Sequence, residues 1–159
     1  MQASESFYTL GPVKVLRVHV KDTYPLRHKM LRPHGTLADC MFKGDDDELT
    51  FHLGAFIDGR LVSVASFYFE NHSQFEQQHP HQYRLRGMAT LPEYQGQGLS
   101  SALLRTAFPL IKQNQCTLLW CDARVSAEGF YQKVGFQSQS EVFELPLIGP
   151  HRLMSIEIR

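Results

Sequence analysis

The pair Gly96 and Gly98 lies in a stretch, LPEYQGQGLSSALL, whose residue types suit the binding of a phosphate group. A strand-like segment precedes the pair and a helix-like segment follows it. The N-terminus of a helix offers unpaired backbone N–H groups and a partial positive charge, so it can hold a phosphate. Glycine lets the backbone approach the anion because it has no Cβ. The spacing therefore indicates a phosphate-binding turn, with an ordinary flexible turn as the alternative.

The residues around this pair differ from two common phosphate motifs. A dinucleotide-binding fingerprint has a third glycine where this chain has Ser101, and an acidic residue about 20 positions further on. Asp122 comes a few positions too late for that role. A P-loop ends in Gly-Lys followed by Ser or Thr, a sequence that does not follow this pair. The pair therefore fits another phosphate ligand, and a nucleotide-binding regulatory domain is an alternative interpretation.

Periodicity predicts the elements that must position this turn. Apolar residues recur every three or four positions over 99–110, which is typical of an amphipathic helix that Pro109 kinks or shortens. The pair Asp58-Gly59 predicts a hairpin turn, and Ser126 is the expected N-cap of a short late helix. Strands are predicted at 13–20, 51–57, 60–70, 83–90, 116–123, 140–145 and 152–158, and helices at 22–31, 99–110 and 126–134.

Composition is typical of one globular α/β domain covering residues 1–159. The chain has 43% hydrophobic and 20% charged residues, and its sixteen basic residues balance sixteen acidic ones. We therefore expect neither nucleic acid nor an anionic membrane as the main partner. No apolar run approaches the roughly 20 residues of a membrane span, and the first ten residues lack the pattern of a signal peptide. The three cysteines lack CxxC spacing and are odd in number, which favours a reducing compartment over a disulfide framework. The sequence therefore predicts a cytoplasmic protein.

Two motifs resemble signatures of the GNAT superfamily of acyl-CoA-dependent N-acetyltransferases. The first signature, Gln/Arg-x-x-Gly-x-Gly/Ala, is similar to the run from Gln95 to Ser100, where Ser100 replaces glycine or alanine. The second, a small residue followed by Phe-Tyr and then Gly-Phe, is similar to AEGFYQKVGF at 127–136. Arg124 stands where the family often has asparagine. The resemblance covers the chain from about Leu53 onward, and the bacterial ElaA-like branch looks most similar.

The resemblance implies an α/β (α+β) fold: one twisted mixed sheet of about seven strands, flanked by helices and with splayed central strands. It implies acetyl-CoA as cosubstrate, and no metal. The pantetheine arm would pair with the backbone of Met88 and Thr90, and Gly87 suits a bulge that separates this strand from the next. A backbone N–H near Met88 or Ala89 would polarise the thioester carbonyl. The expected cofactor-binding residues are Met88, Ala89, Thr90, Gln95, Gly96, Gln97, Gly98, Leu99, Ser100 and Ser101.

The implied reaction is direct attack of a neutral amine on acetyl-CoA, with release of the CoA thiolate. Tyr131 lies where the family has the tyrosine that protonates this thiolate, and a packed aromatic residue is the alternative interpretation. Because an amine is mostly protonated near pH 7, a base is also needed. His151 is favoured because the sequence GPH begins a late strand. The other candidates are Glu141, Glu144, His52 and a chain of ordered waters.

The acceptor is expected to be an amine-bearing small molecule or peptide, and the resemblance also implies pairing as a homodimer. Arg27, His28 and Arg32 are candidates to bind an acceptor carboxylate or to face water. Arg84 and Arg86 share a strand face and could serve the substrate cleft or the phosphates. The acidic run at 44–48 is interpreted as a solvated loop, with attraction of a cationic acceptor as the alternative. A non-catalytic acyl-CoA-binding or sensing domain is the alternative function.

Overall fold

The structure, a computed structural model, describes residues 12–159. Two compact units make up this part of the chain. One contains the residues up to Phe67 together with Arg86–Ala107, and the other contains Tyr68–Leu85 and Phe108–Arg159. The interpretation of the first ten residues lies outside the described residues, and a single domain covering 1–159 stays a prediction.

The first part of the chain folds as a strand, a helix and a hairpin. The predicted first strand was too long, because the helix already begins at Val20. His19 caps this helix: its ring accepts the Lys21 N–H at 3.4 Å, and the Asp22 carboxylate accepts the His19 N–H at 3.2 Å. The predicted hairpin is confirmed. The elements are β1 (Val13–Arg17), α1 (Val20–Leu31), a 3₁₀ helix (Leu37–Cys40), β2 (Phe51–Ile57) and β3 (Arg60–Phe69).

Strand β4 (Tyr83–Thr90) and helix α2 (Leu99–Gln113) flank the glycine pair, as predicted. Pro109 lies inside α2, so the helix runs past the predicted end at 110. A proline removes one intrahelical hydrogen bond, but an apolar face still holds the helix against the core. The buried residues of this face include Leu99, Leu103, Leu104, Ala107 and Ile111.

The last part of the chain contains β5 (Leu118–Arg124), α3 (Glu128–Val134), β6 (Gln137–Ser138), β7 (Phe143–Leu145) and β8 (Gly149–Glu157). Ser126 is not the N-cap of α3. It lies in a 3₁₀ turn, Val125–Ala127, and Ala127 occupies the capping position without a side-chain hydrogen bond. Strand β8 begins earlier than predicted and therefore includes His151. The two-residue strand β6 was not predicted, because it is too short to show a periodic pattern.

The described strands form a mixed sheet, which confirms the predicted fold class. The sheet has eight described strands: seven follow the order β1-β2-β3-β4-β5-β8-β6, and β7, which lies outside this order, pairs with β8. Strands β4 and β5 are parallel, with Tyr83 beside Leu119 and Arg84 beside Trp120. The other described ladders, β1 with β2, β2 with β3, and β8 with β5, β6 and β7, are antiparallel. The splaying of the central strands stays a prediction.

Apolar side chains fill the interior of each unit. Leu99, Leu103, Leu118 and Trp120 belong to this interior, since each is at most 3% exposed. The three cysteines are buried and not in disulfides. In the part of the chain that the structure describes, no helix has the length and apolarity that crossing a bilayer requires.

Packing around Gly54 in β2 generates a stability prediction. An added Cβ there would lie 2.5 Å from Leu61 Cδ1 and 2.9 Å from Val18 Cγ1, so Gly54→Ala forces these side chains apart. We expect a loss of about 1–3 kcal/mol in the free energy of unfolding, measured by urea denaturation.

Gly129→Ala is the control for this substitution. Gly129 lies in α3, where an added Cβ meets no heavy atom within 4 Å. Alanine should stabilise this helix by about 0.5–1 kcal/mol. Equal stability of the two variants would contradict the packing described around Gly54.

Candidate active site

The turn between β4 and α2 contains two glycines whose backbone conformation other residues rarely adopt. The φ angles of Gly96 and Gly98 are 75° and 83°. Both residues are exposed, and a Cβ added to Gly96 would meet no heavy atom within 4 Å. The backbone of this turn therefore faces open space, and glycine is required there by conformation.

Hydrogen bonds fix the turn to the end of β4. The Gln95 side chain donates from Nε2 to the Thr90 carbonyl at 3.0 Å, and Gln97 Nε2 donates to the Glu93 carbonyl at 3.4 Å. Thr90 Oγ1 lies 3.3 Å from Ser100 Oγ. The structure thus brings Thr90, Gln95 and Ser100 together, three of the residues predicted to bind the cofactor. The side chain of Gln95 serves as an anchor, which leaves its backbone for a ligand.

The start of α2 supplies the N–H groups that the sequence predicts. The bond from the Ala102 N–H to the Gly98 carbonyl, at 3.0 Å, begins the helical ladder. The N–H groups of Leu99, Ser100 and Ser101 precede it, in the first turn, where a helix offers no intrahelical acceptor. Leu99 is 2% exposed, so only its backbone can reach a ligand. Together the turn and the helix end can hold an anion.

Gly87 interrupts the extended conformation of β4 next to Met88 and Ala89. Its φ of 66° is left-handed, and an added Cβ would lie 3.1 Å from Phe42 Cε2 and 3.2 Å from Arg27 Nε. Both backbone conformation and space therefore require glycine. Met88 is half-buried and Ala89 is buried.

A buried ion pair supports this stretch of β4. Arg27 is fully buried and donates to both carboxylate oxygens of Asp45, at 2.8 and 3.0 Å, and to the Cys40 carbonyl at 2.8 Å. Its guanidinium also lies over the Phe42 ring, with Cζ 4.1 Å from the centroid. The Arg27 side chain is thus neither exposed to water nor available to bind the carboxylate of an acceptor substrate. The interpretation of 44–48 as a solvated loop is wrong for Asp45.

His52 belongs to the same network and is engaged through both ring nitrogens. Its Nε2 lies 3.0 Å from the Asp45 carbonyl, which can only accept, so Nε2 carries the proton. Its Nδ1 then accepts from the Ser66 hydroxyl at 2.7 Å, while Ser66 Oγ accepts from Arg27 Nη2 at 2.9 Å. Burial lowers the pKa of His52, which keeps the ring neutral. His52 is therefore a structural residue and is removed from the candidate bases.

Tyr131 is a buried residue of α3. Its ring packs edge-on against Phe130 and Phe136, with centroids 5.1 Å away in each case, and its hydroxyl lies near the Cys121 side chain. Burial raises the pKa of Tyr131 well above its ordinary value, and the neighbouring Cys121 adds to the rise. The hydroxyl therefore stays protonated and can donate. Burial likewise raises the pKa of Cys121, so this cysteine remains a thiol and a core residue.

His151 lies in β8 and is 4% exposed. Its Nδ1 lies 2.8 Å from the Gly149 carbonyl, so in the neutral ring Nδ1 carries the proton. Nε2 then keeps a lone pair, as a general base requires. Glu141 and Glu144 are exposed. His151 is thus the histidine that remains among the candidate bases, with Nε2 as the ring nitrogen that can accept a proton.

Arg84 and Asp122 form a separate pair. Arg84 donates to Asp122 at 3.1 Å and to Glu70 at 2.9 Å, and its guanidinium lies 4.7 Å from the centroid of Trp120. Asp122 is therefore already paired with Arg84 and is not available to bind a ribose hydroxyl. Among residues 12–159, no group of three or more His, Cys, Asp or Glu side chains is placed to hold a metal ion.

The fold is shared with proteins of known structure. Escherichia coli ElaA matches with a TM-score of 0.72 at 17% identity, over 92% of this chain and 100% of that one. An acetyltransferase of the GNAT family from Streptococcus pneumoniae matches with a TM-score of 0.66 at 16% identity, over 93% and 100%. At such low identity the similarity defines the class of fold.

Sequence comparison narrows this class to a family. The profile of the Acetyltransferase (GNAT) family matches residues 15–136. YitI of Bacillus subtilis (strain 168), described as an uncharacterised N-acetyltransferase, is 40% identical over 147 residues, which are 92% of this chain and 97% of that protein. The chain belongs to the GNAT family of acetyltransferases, and its enzyme class is N-acetyltransferase. The predicted family is confirmed.

The buried His52 generates a pH prediction. Its folded pKa is lowered, so the unfolded state binds the proton more readily once the pH falls below the ordinary value of about 6.5. The stabilisation is present above that value and is lost as the pH falls toward the lowered pKa. His52→Gln should flatten the slope of unfolding free energy between about pH 7 and 5 by up to about 1.4 kcal/mol per pH unit.

Denaturant unfolding at a series of pH values measures this slope. His34→Gln, at an exposed position, is the control for the substitution itself. A His52→Gln protein that keeps the full wild-type slope would show that His52 is not held neutral by burial.

Proposed function

We propose that this protein transfers an acetyl group from acetyl-CoA to an amine by direct attack. The observation that carries the proposal is the exposed turn of positive-φ glycines that leads into α2. Such a turn can present successive backbone N–H groups to a pyrophosphate. Acetyl-CoA carries a pyrophosphate, and the family to which the chain belongs is one of acetyltransferases.

Each part of the cofactor has a proposed partner in the first unit. The backbone N–H groups of 95–101 hold the pyrophosphate, and the side chains of Gln95 and Ser100 keep that backbone in place. The pantetheine arm pairs with the backbone of Met88 and Thr90, as an added strand would. The N–H of Met88 or Ala89 polarises the thioester carbonyl, whose oxygen gains charge when the amine attacks.

Tyr131 and His151 are proposed to move protons. The amine nitrogen attacks the carbonyl carbon, the carbon–sulfur bond breaks, and His151 Nε2 accepts the proton that the amine loses. Tyr131 donates a proton to the departing thiolate, a role supported by its position in the second signature motif, and its raised pKa means that the hydroxyl carries a proton when the thiolate leaves. The three buried, unbridged cysteines support a reducing compartment, the cytoplasm, as the place of action.

Gly98→Val tests the proposed cofactor loop. Valine disfavours a φ of 83° and places a branched side chain where the pyrophosphate would approach. We expect acetyl-CoA affinity, measured by titration calorimetry, to fall at least about tenfold, as expected when one charge-assisted hydrogen bond is lost. Gly59→Val is the matched control, because Gly59 also has a positive φ of 79° and open surroundings but lies in the hairpin turn. Unchanged affinity in Gly98→Val would refute the loop.

Tyr131→Phe tests the proposed acid. With an amine that supports turnover, we expect kcat to fall by about 100-fold or more while acetyl-CoA affinity is kept, since only the proton donor is lost. Tyr83→Phe is the control, because it removes a buried hydroxyl that accepts from Asn114 Nδ2 at 2.7 Å. An unchanged kcat in Tyr131→Phe would leave this residue a packed aromatic side chain. Binding of acetyl-CoA without turnover of any amine would instead favour the non-catalytic alternative.

A further inference from the structure

The Phe42 ring lies beside the stretch of β4 at which acetyl transfer is proposed. An added Cβ on Gly87 would lie 3.1 Å from Phe42 Cε2, so the ring sits directly against the residue that precedes Met88. Phe42 is half-buried, which leaves part of its surroundings accessible to solvent. A group bound beside Phe42 would therefore lie next to the proposed reaction site.

Three guanidinium groups gather around this ring. Their Cζ atoms lie 4.1 Å from the centroid for Arg27, 4.6 Å for Arg86 and 5.8 Å for Arg32. Asp45 accepts hydrogen bonds from Arg27 through both carboxylate oxygens and so offsets its charge. The rest of the acidic run, at 46–48, is exposed, and Asp46 is near enough for its charge to act on His52. Three guanidinium groups therefore surround the ring, and Asp45 is hydrogen-bonded to one of them.

Arg32 and Arg86 differ from Arg27 in their accessibility. Both are half-buried, whereas Arg27 is enclosed. Arg32 donates one bond, from Nη1 to the Leu31 carbonyl at 3.0 Å, and Arg86 makes contacts besides its stacking on Phe42. A guanidinium has five N–H donors in a planar fork that matches a carboxylate or a phosphate. Arg32 therefore keeps donors that can serve an anion beside the one hydrogen bond it makes, and Arg86 brings a second cation to the same ring.

We propose that Arg32 and Arg86 bind an anionic group of the acceptor, so that the preferred substrates are amines that also carry a carboxylate or a phosphate. The inference rests on the proposed function, since it assigns the acceptor of that same reaction. Phe42 supports both guanidinium groups by stacking and sets their place beside Gly87. Arg32 and Arg86 are thus specificity-determining residues.

Matched pairs of amines test the proposal. Amino acids are compared with their C-terminal amides, and phosphoethanolamine with ethanolamine, each at equal concentration of the free base. Release of CoA from acetyl-CoA is followed through its thiol. We expect kcat/KM to favour the anionic member of a pair by about tenfold or more, as one charge-assisted hydrogen bond allows. The pair of amines with the larger ratio of kcat/KM values shows whether a carboxylate or a phosphate is the group bound.

Arg32→Gln and Arg86→Gln should each reduce that preference by about tenfold. Arg17→Gln is the matched control: Arg17 is exposed and its Cζ also lies near a phenylalanine ring, 5.2 Å from the centroid of Phe51. The control should keep the wild-type preference.

The outcomes separate this inference from the proposed function. Turnover that is equal or faster with the neutral amines, or a preference that survives in both Arg32→Gln and Arg86→Gln, would overturn the anion site while leaving acetyl transfer intact. Absence of turnover with every amine, in a protein that acetyl-CoA stabilises against unfolding, would overturn the transferase function and this inference with it.

Discussion

The proposed site depends on one backbone constraint: the turn before α2 must pass through two left-handed residues, Gly96 and Gly98. Only glycine does so at little cost, and only glycine leaves the N–H groups of the turn without a side chain in front of them. The side-chain bonds of Gln95 and Ser100 to Thr90 then hold the turn to β4. The strand, the turn and the helix end therefore act as one preformed unit, which spares a ligand the cost of ordering them.

A second constraint operates further back along β4, at Gly87. The space beside this residue is filled by Phe42 and by Arg27, whose charge is matched by Asp45. Removing one partner of such a buried pair leaves an uncompensated charge, so the pair is far more sensitive to mutation than an exposed one. Through this network, α1 and the loop after it support the proposed reaction site. His52 and Ser66 complete the network, which explains why a histidine there is neutral.

The sequence allowed the hairpin, β4, the start of α2 and the family to be predicted, because each depends on a local pattern. A period of two or of 3.6, or a glycine at a required φ, is visible within a dozen residues. The pairing of Arg27 with Asp45 was missed because it joins side chains 18 positions apart, with no local signal. A signal did exist in β3, where the serine at 66 interrupts an apolar strand and must find a partner once buried. The capping of α1 by His19 was missed because histidine is an uncommon N-cap.

Thermal unfolding of the protein with acetyl-CoA, with ATP and with NAD tests directly whether the glycine turn holds the pyrophosphate of acetyl-CoA. A ligand bound only by the folded state adds about 2.7 kcal/mol of stability at a hundredfold excess over its dissociation constant. If the turn holds this pyrophosphate, Tm rises clearly with acetyl-CoA and changes little with ATP or NAD. No rise with acetyl-CoA, or an equal rise with ATP or NAD, would contradict it.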